Sequence, residues 1–151
     1  MIRASLMSAP SAFGRLNRIL EDLARLPRKV AVIAAPELTK ALRDEFTAGQ
    51  DPYGRAWAPL RPATLERHAP PPLTDSGELA AWTRATVKGG GRAGVHVVLG
   101  KAIGYFAQSG FRAGRTRVPP RRILPTQGMP AKWRAILLAA ARRSIAEARR
   151  A

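Results

Sequence analysis

The chain has 151 residues, 46% of them apolar, a formal net charge of +16 and no cysteine. That length suits one domain with a sizeable buried core, while the absence of cysteine excludes disulfides and thiolate-held metals and is compatible with a reducing compartment. The two histidines, His68 and His96, fall on different predicted elements with no set of carboxylates beside them, so no metal, cofactor or catalytic centre is expected from them.

Residues 1–10 are expected to form a flexible terminus. Glu21, Asp22 and Arg25 interrupt the apolar run that a signal peptide would need. The longest uncharged apolar run, Val30 to Pro36, is far short of the roughly 20 residues that span a bilayer. A soluble intracellular product is the expectation. From Ser11, Phe13, Leu16, Leu20, Leu23 and Leu26 recur at spacings of three and four, which predicts a helix that Pro27 stops or restarts. A second helix is predicted over 29–48, kinked or restarted at Pro36 and capped at Gly49.

Residues 51–79 combine a turn at Asp51-Pro52-Tyr53-Gly54, Trp57, a proline-punctuated run and a second turn at Thr74-Asp75-Ser76-Gly77. Trp57, Leu60, Leu65 and Leu73 point to an ordered connector, since a solvated linker has no use for such side chains. Residues 79–88 are predicted to begin as a helical turn and become a strand by Thr83. Gly89-Gly90-Gly91 forms a hairpin tip, and residues 93–99 a second strand with Val95, Val97 and Leu99 on one face and His96 outward. Residues 103–110 fit a helical turn or bent strand, and residues 111–118, with Gly114 and three arginines, a protruding flexible basic loop. Pro130 opens a final helix to about Arg149. Trp133, Leu137, Ala140, Ala141 and Ala148 fill one sector of it, with Lys132, Arg142, Arg143, Arg149 and Arg150 opposite. The expected architecture is a single α+β domain over 1–151: helices over 11–49, connector over 50–79, a small antiparallel sheet with the basic loop over 80–124, and a C-terminal helix over 129–150.

Charge is unevenly placed: residues 1–81 balance at +2, and residues 82–151 at +14 with Glu147 their sole acid. The basic half suggests an anionic partner. Arg112, Arg115, Arg117, Arg121, Arg122, Arg142 and Arg143 are the candidate partner- or DNA-facing residues, through charge-assisted contacts to phosphates or acidic side chains. The plain alternative is solvated charge from an arginine-rich composition. With only Tyr105, Phe106 and Phe111 beside the loop, any nucleic-acid contact would be to the backbone, without sequence readout. The final helix offers alanine where a membrane anchor needs bulk, so no membrane contact is expected. No nucleophile is paired with a base, Ser76 lies outside a nucleophile elbow, and the glycine run lacks the Lys-Ser/Thr of a phosphate loop. Thr74, Asp75, Ser76 and Glu78 read as turn and helix-start residues, and the chain as no enzyme.

Asp51-Pro52-x-Gly54-x-x-Trp57-x-x-Leu60-x-x-x-Thr64-Leu65 resembles the DP-x-G-x-x-W-x-x-L-x-x-x-T element of the phage virion morphogenesis, or tail completion, family of Mu-like and P2-like phages. Leu73-x-Asp75-Ser76-Gly77-x-Leu79, Gln108-x-Gly110 and Pro119-x-Arg121-x-x-Leu124 follow in that family's order over roughly 38–124. Departures are Ala107 for a usual His, Ile103-Gly104 for Tyr-Ala and Arg122-Ile123 for Pro-Phe. The resemblance implies a structural virion protein assembled in the host cytoplasm. It would be a subunit of a ring, often hexameric, at the neck or tail end. The ring would join the tail terminator or tube protein to the head–tail connector or stopper, around the DNA channel. The alternative is a sequence-independent nucleic-acid-binding protein that uses the basic half.

Overall fold

The structure is a computed structural model that describes residues 12–66, 72–73, 76–89, 93–100 and 102–150. The expected terminus over 1–10, His68, Thr74, Asp75 and the Gly90-Gly91 part of the hairpin tip lie outside the described residues, as do the side chains of Phe13 and Leu16.

The N-terminal third is one helix, α1 (Ala12–Ala48), with Pro27 and Pro36 inside it rather than at a break. Each proline removes one N–H and crowds the carbonyl four residues earlier. Both rings lie on the exposed side of α1, where water can serve the freed carbonyls, and the later half is fastened by packing. Gly49 closes the helix at φ +63°, its N–H bonded to the Phe46 carbonyl at 3.1 Å.

The predicted final helix is α5 (Ala131–Ala148), preceded by Pro130. It runs antiparallel to α1. Lys132 Nζ meets Asp44 Oδ2 at 3.6 Å and the Trp133 indole N–H donates to Glu45 Oε1 at 2.9 Å at one end, while Glu147 sits with Arg25, Arg28 and Lys29 around a cleft at the other. The predicted sector faces α1: Trp133 and Ala140 are buried, Leu137, Ala141 and Ala148 half-buried, and the five cations exposed. At about 1.5 Å per residue α5 spans roughly 27 Å, so α1 extends past it as an arm from about residue 26 back to 12.

Strands β1 (Arg84–Lys88) and β2 (Gly94–Val98) form an antiparallel pair in which Ala85 faces Val97 and Val87 faces Val95. That face meets α1, and His96 and Val98 point outward, as the alternation predicts. Thr39 Oγ1 accepts the Ala85 N–H at 3.1 Å and donates to the Ala35 carbonyl at 2.9 Å, which fastens the β1 edge to α1. The first core cluster gathers Ala34, Ala35, Leu38, Leu42, Ala85, Trp133 and Ala140.

The short helices α2 (Pro62–Leu65) and α3 (Glu78–Trp82) punctuate the connector. Residues 102–109 form a full helix, α4 (Ala102–Ser109), with Gly104 and Ala107 inward. The segment expected as a flexible loop is instead a second antiparallel pair, β3 (Phe111–Ala113) and β4 (Thr116–Val118), turning at Gly114 with φ +60°. The fold is thus α+β, with two two-stranded sheets among the described residues in place of the one expected.

Candidate interaction surfaces

The motif residues converge from four stretches of chain on a second core cluster of Phe46, Trp57, Leu79, Ala107 and Ile123. Asp51 is buried, and its Oδ1 accepts the N–H groups of Tyr53 at 2.9 Å and Arg55 at 2.8 Å, a side-chain turn closed by Gly54 at φ +82°. Pro52 is buried beside it. Tyr53 Oη donates to the Gly128 carbonyl at 2.8 Å and accepts the Gln127 N–H at 2.7 Å, so the same turn holds the approach to α5. Trp57 meets Phe46 edge-on at 5.4 Å between ring centroids, and its indole N–H donates to the Arg122 carbonyl at 2.8 Å.

Gln108 completes this latch from α4. Its Oε1 accepts the Ile123 and Leu124 N–H groups at 2.7 and 2.8 Å, and its Nε2 donates to the Leu124 carbonyl at 3.0 Å. One side chain thereby replaces a missing neighbouring strand for the extended segment after Pro119. Gly110 has φ +72°, and a Cβ there would lie 2.8 Å from the Val118 carbonyl oxygen. Only glycine lets the base of the β3–β4 hairpin close against residues 118–120. Gly77, at φ +70°, precedes α3 and delivers Leu79 to the cluster, while Leu60 and Thr64 are half-buried along the strap. Pro119 is exposed and Leu124 half-buried.

The seven candidate arginines do not form one surface. Arg121 is a correction: only 8% of it is accessible, Nε donates to the Ala58 carbonyl at 2.9 Å, and Nη2 donates to the Pro59 carbonyl at 3.1 Å. Burial draws its guanidinium below the ordinary arginine value. It is an internal strut that holds the 57–60 strap, and it presents no cation to a partner. Arg122 is half-buried, with Nη1 on Thr126 Oγ1 at 3.2 Å. Arg142 and Arg143 are exposed on α5. Arg112 and Arg117 stand directly opposite each other across the hairpin, and Arg115 occupies its turn, all three exposed.

Arg61 was not among the expected candidates. From the residue before α2 it donates to Thr116 Oγ1 at 3.1 Å and to the Arg117 carbonyl at 3.4 Å. The two partners are 55 and 56 residues away, and no local pattern announces such a contact.

Large apolar side chains are exposed on several elements, Trp82 of α3 and Leu138 of α5 among them, and they group together on the arm and on α4. On the α1 arm Leu20 and Leu23 are 53% and 57% accessible; on α4 Ile103, Tyr105 and Phe106 are 56%, 69% and 55% accessible. Phe106 stacks edge-on with Phe111 of the hairpin at 5.8 Å. The buried carboxylate of Glu45, between Trp133 and the Asp51 turn, is the one ionisable side chain of α1 enclosed in the core among the described residues. No group of His, Asp and Glu among the described residues could hold a metal ion, and no helix there is long and apolar enough to cross a membrane.

No curated protein and no solved structure matches the chain. Residues 8–144 match the phage virion morphogenesis family. That span includes the Asp51 turn, the Trp57 strap, the Gln108 clamp and most of α5. The chain belongs to the phage virion morphogenesis family, with a structural role in virion assembly.

Proposed function

We propose that the protein is a tail-completion subunit that assembles into a ring at the virion neck, joining the tail terminator or tube to the head–tail connector around the DNA channel. The observation that carries this reading is the grouping of exposed large apolar side chains on two separate elements, Leu20 and Leu23 on the arm of α1 and Ile103, Tyr105 and Phe106 on α4. Monomeric soluble proteins seldom leave such patches uncovered, and patches of this kind commonly mark protein–protein contacts. Two different patches on one chain suit a head-to-tail contact, which generates a ring when the rotation closes. Family membership supports the assembly role. On this reading the latch around Trp57 and Gln108 is scaffold, fixing the β3–β4 hairpin so that it faces a neighbouring subunit or the channel.

Native mass spectrometry of the purified chain tests the ring, with a single closed oligomer as the expected result. A monomer at every concentration and salt would overturn it. Cryo-electron microscopy of the assembled particle tests position: the protein is expected between tail and connector, and density elsewhere in the virion would refute the neck assignment.

A further inference from the structure

We propose that the β3–β4 hairpin is a phosphate-contacting tip that grips the backbone of duplex DNA without reading its sequence. This role deepens the ring reading, on which it rests for the presence of DNA beside the protein, but it is tested separately.

The first observation is the pairing of Arg112 with Arg117. Like charges directly opposite on a two-stranded ribbon repel, and a hairpin with three residues per strand has little stability in reserve. Aligning them is unfavourable for the isolated chain and becomes favourable when an anion lies between. Arg61 adds a third guanidinium from the other side of β4, and Arg115 a fourth at the turn. Glu21, Asp22 and Asp44, all on α1, are held in ion pairs with Arg25, Lys29 and Lys132, away from these four arginines.

The second observation is shape. Arg112 and Arg117 border a cleft of about 390 Å³ whose remaining lining includes Gly110, Phe111 and Pro120. The left-handed backbone at Gly110 and the Phe106–Phe111 contact fix this hairpin against α4, so the two guanidinium groups are presented on a supported ribbon. Planar guanidinium groups take phosphate oxygens in pairs.

Phosphodiester is favoured over an acidic protein by the extent of the field. Residues 82–151 balance at +14, and their exposed cations include the three arginines of the hairpin and a row along α5. A polyanion with one charge per roughly 1.7 Å of axis matches such an extended field. The few aromatics beside the arginines fit contact with the backbone rather than with stacked bases.

The test is fluorescence anisotropy of a labelled duplex of about 20 base pairs with the full-length protein, as a function of salt. The Arg112→Gln/Arg117→Gln double variant is expected to lower the log–log salt slope by about 1.8, roughly 0.9 for each phosphate that is no longer neutralised. Affinity at physiological salt should fall on the order of a hundredfold, about tenfold per charge-assisted hydrogen bond. Arg112→Lys/Arg117→Lys should keep the slope. Arg142→Gln/Arg143→Gln removes the same charge from α5 and should weaken binding much less. Both arginines of the hairpin are exposed and repel, so the glutamine variant should melt no lower than the parent.

Four results would overturn the proposal: no duplex binding by the parent, an unchanged slope in the hairpin variant, equal weakening in the hairpin and α5 variants, or equal competition by polyglutamate at matched charge. Native mass measured on the same samples separates this from the ring. A monomer whose slope depends on Arg112 and Arg117 sinks the ring alone, and a ring with an unaltered slope sinks the hairpin contact alone.

Discussion

Glu45 places a carboxylate inside the core, next to the indole N–H of Trp133, and the balance of effects there decides a pH dependence. Burial pushes its pKa above the ordinary carboxylate range, opposed by the Trp133 hydrogen bond and by Lys132, and assisted by Asp51 and Asp44. A raised folded-state value means that the native protein holds this proton when the unfolded chain has released it. Stability from this group is therefore lost as pH rises above the unfolded value, about 4.3, through the folded one. Glu45→Gln keeps an acceptor for Trp133 and cannot ionise. Its stability relative to the parent should rise between about pH 4 and pH 7 in urea titrations, and a difference that stays flat or falls would refute the assignment. Gln108 is a second residue-scale case. Gln108→Ala leaves the Ile123 and Leu124 N–H groups without their acceptor. It should cost about 2–4 kcal/mol with an unchanged m-value, whereas an exposed neighbour such as Ser109→Ala should cost under about 0.5 kcal/mol. The motif spacing around Gln108 is visible in the sequence, but the three bonds that justify it are not. An amide side chain serving as a strand edge is a tertiary event, set by where α4 happens to pass the extended segment.

At the scale of elements, the two prolines of α1 make opposite cases. Pro36 lies where α1 packs on α5 and β1, between the buried Ala35 and Leu38. Pro36→Ala restores an N–H to the helix and should raise global stability by about 1–3 kcal/mol. Pro27 lies at the root of the arm, beside the end of α5 where Glu147 borders a cleft with Arg25, Arg28 and Lys29. Pro27→Ala should leave global stability within about 0.5 kcal/mol while slowing amide exchange over residues 17–27, because that part opens independently of the core. Equal global gains for both variants would mean that the arm folds with the core. The same contrast explains what could be read from the chain. Periodicity located α5, the outward side of β2 and the turn from α3 into β1, because each buries one face at its own period. It broke α1 in two, because the proline rule is local and the packing that overrides it is not. It took residues 111–118 for a loop, because three arginines and a glycine mask a ribbon only three residues long. It could not tell Arg121 from Arg122, although one is a buried strut and the other has its guanidinium on Thr126 at the surface.

For the whole molecule, the opposing quantities are a net charge of +16 and apolar surface left open on α1 and α4. Copies of this chain repel at long range, while any contact through Leu20, Leu23, Ile103 or Phe106 is short-range and indifferent to salt. The Debye length falls from about 10 Å at 0.1 M to about 3 Å at 1 M, so added salt removes the repulsion and leaves the apolar attraction. Association should therefore strengthen as salt rises, the reverse of what duplex binding does. Native mass and light scattering at low and high salt measure this directly. Dissociation on adding salt would show that the subunits are held by ion pairs, and it would overturn the assignment of the contact to apolar surface. The two patches can then be told apart. Leu20→Asp/Leu23→Asp on the arm, or Phe106→Asp on α4, should shift the high-salt oligomer toward monomer. Neither should lower the melting temperature by more than a few degrees, since the altered side chains are more than half exposed. In a head-to-tail ring each subunit contributes both patches, so mixing the arm variant with the α4 variant leaves one intact junction between each unlike pair. The mixture should give heterodimers where each variant alone gives monomers. Homodimers of either variant alone would mean that a patch pairs with its own kind, a mixture that stays monomeric would mean that the patches meet other surfaces, and either result would sink the head-to-tail arrangement.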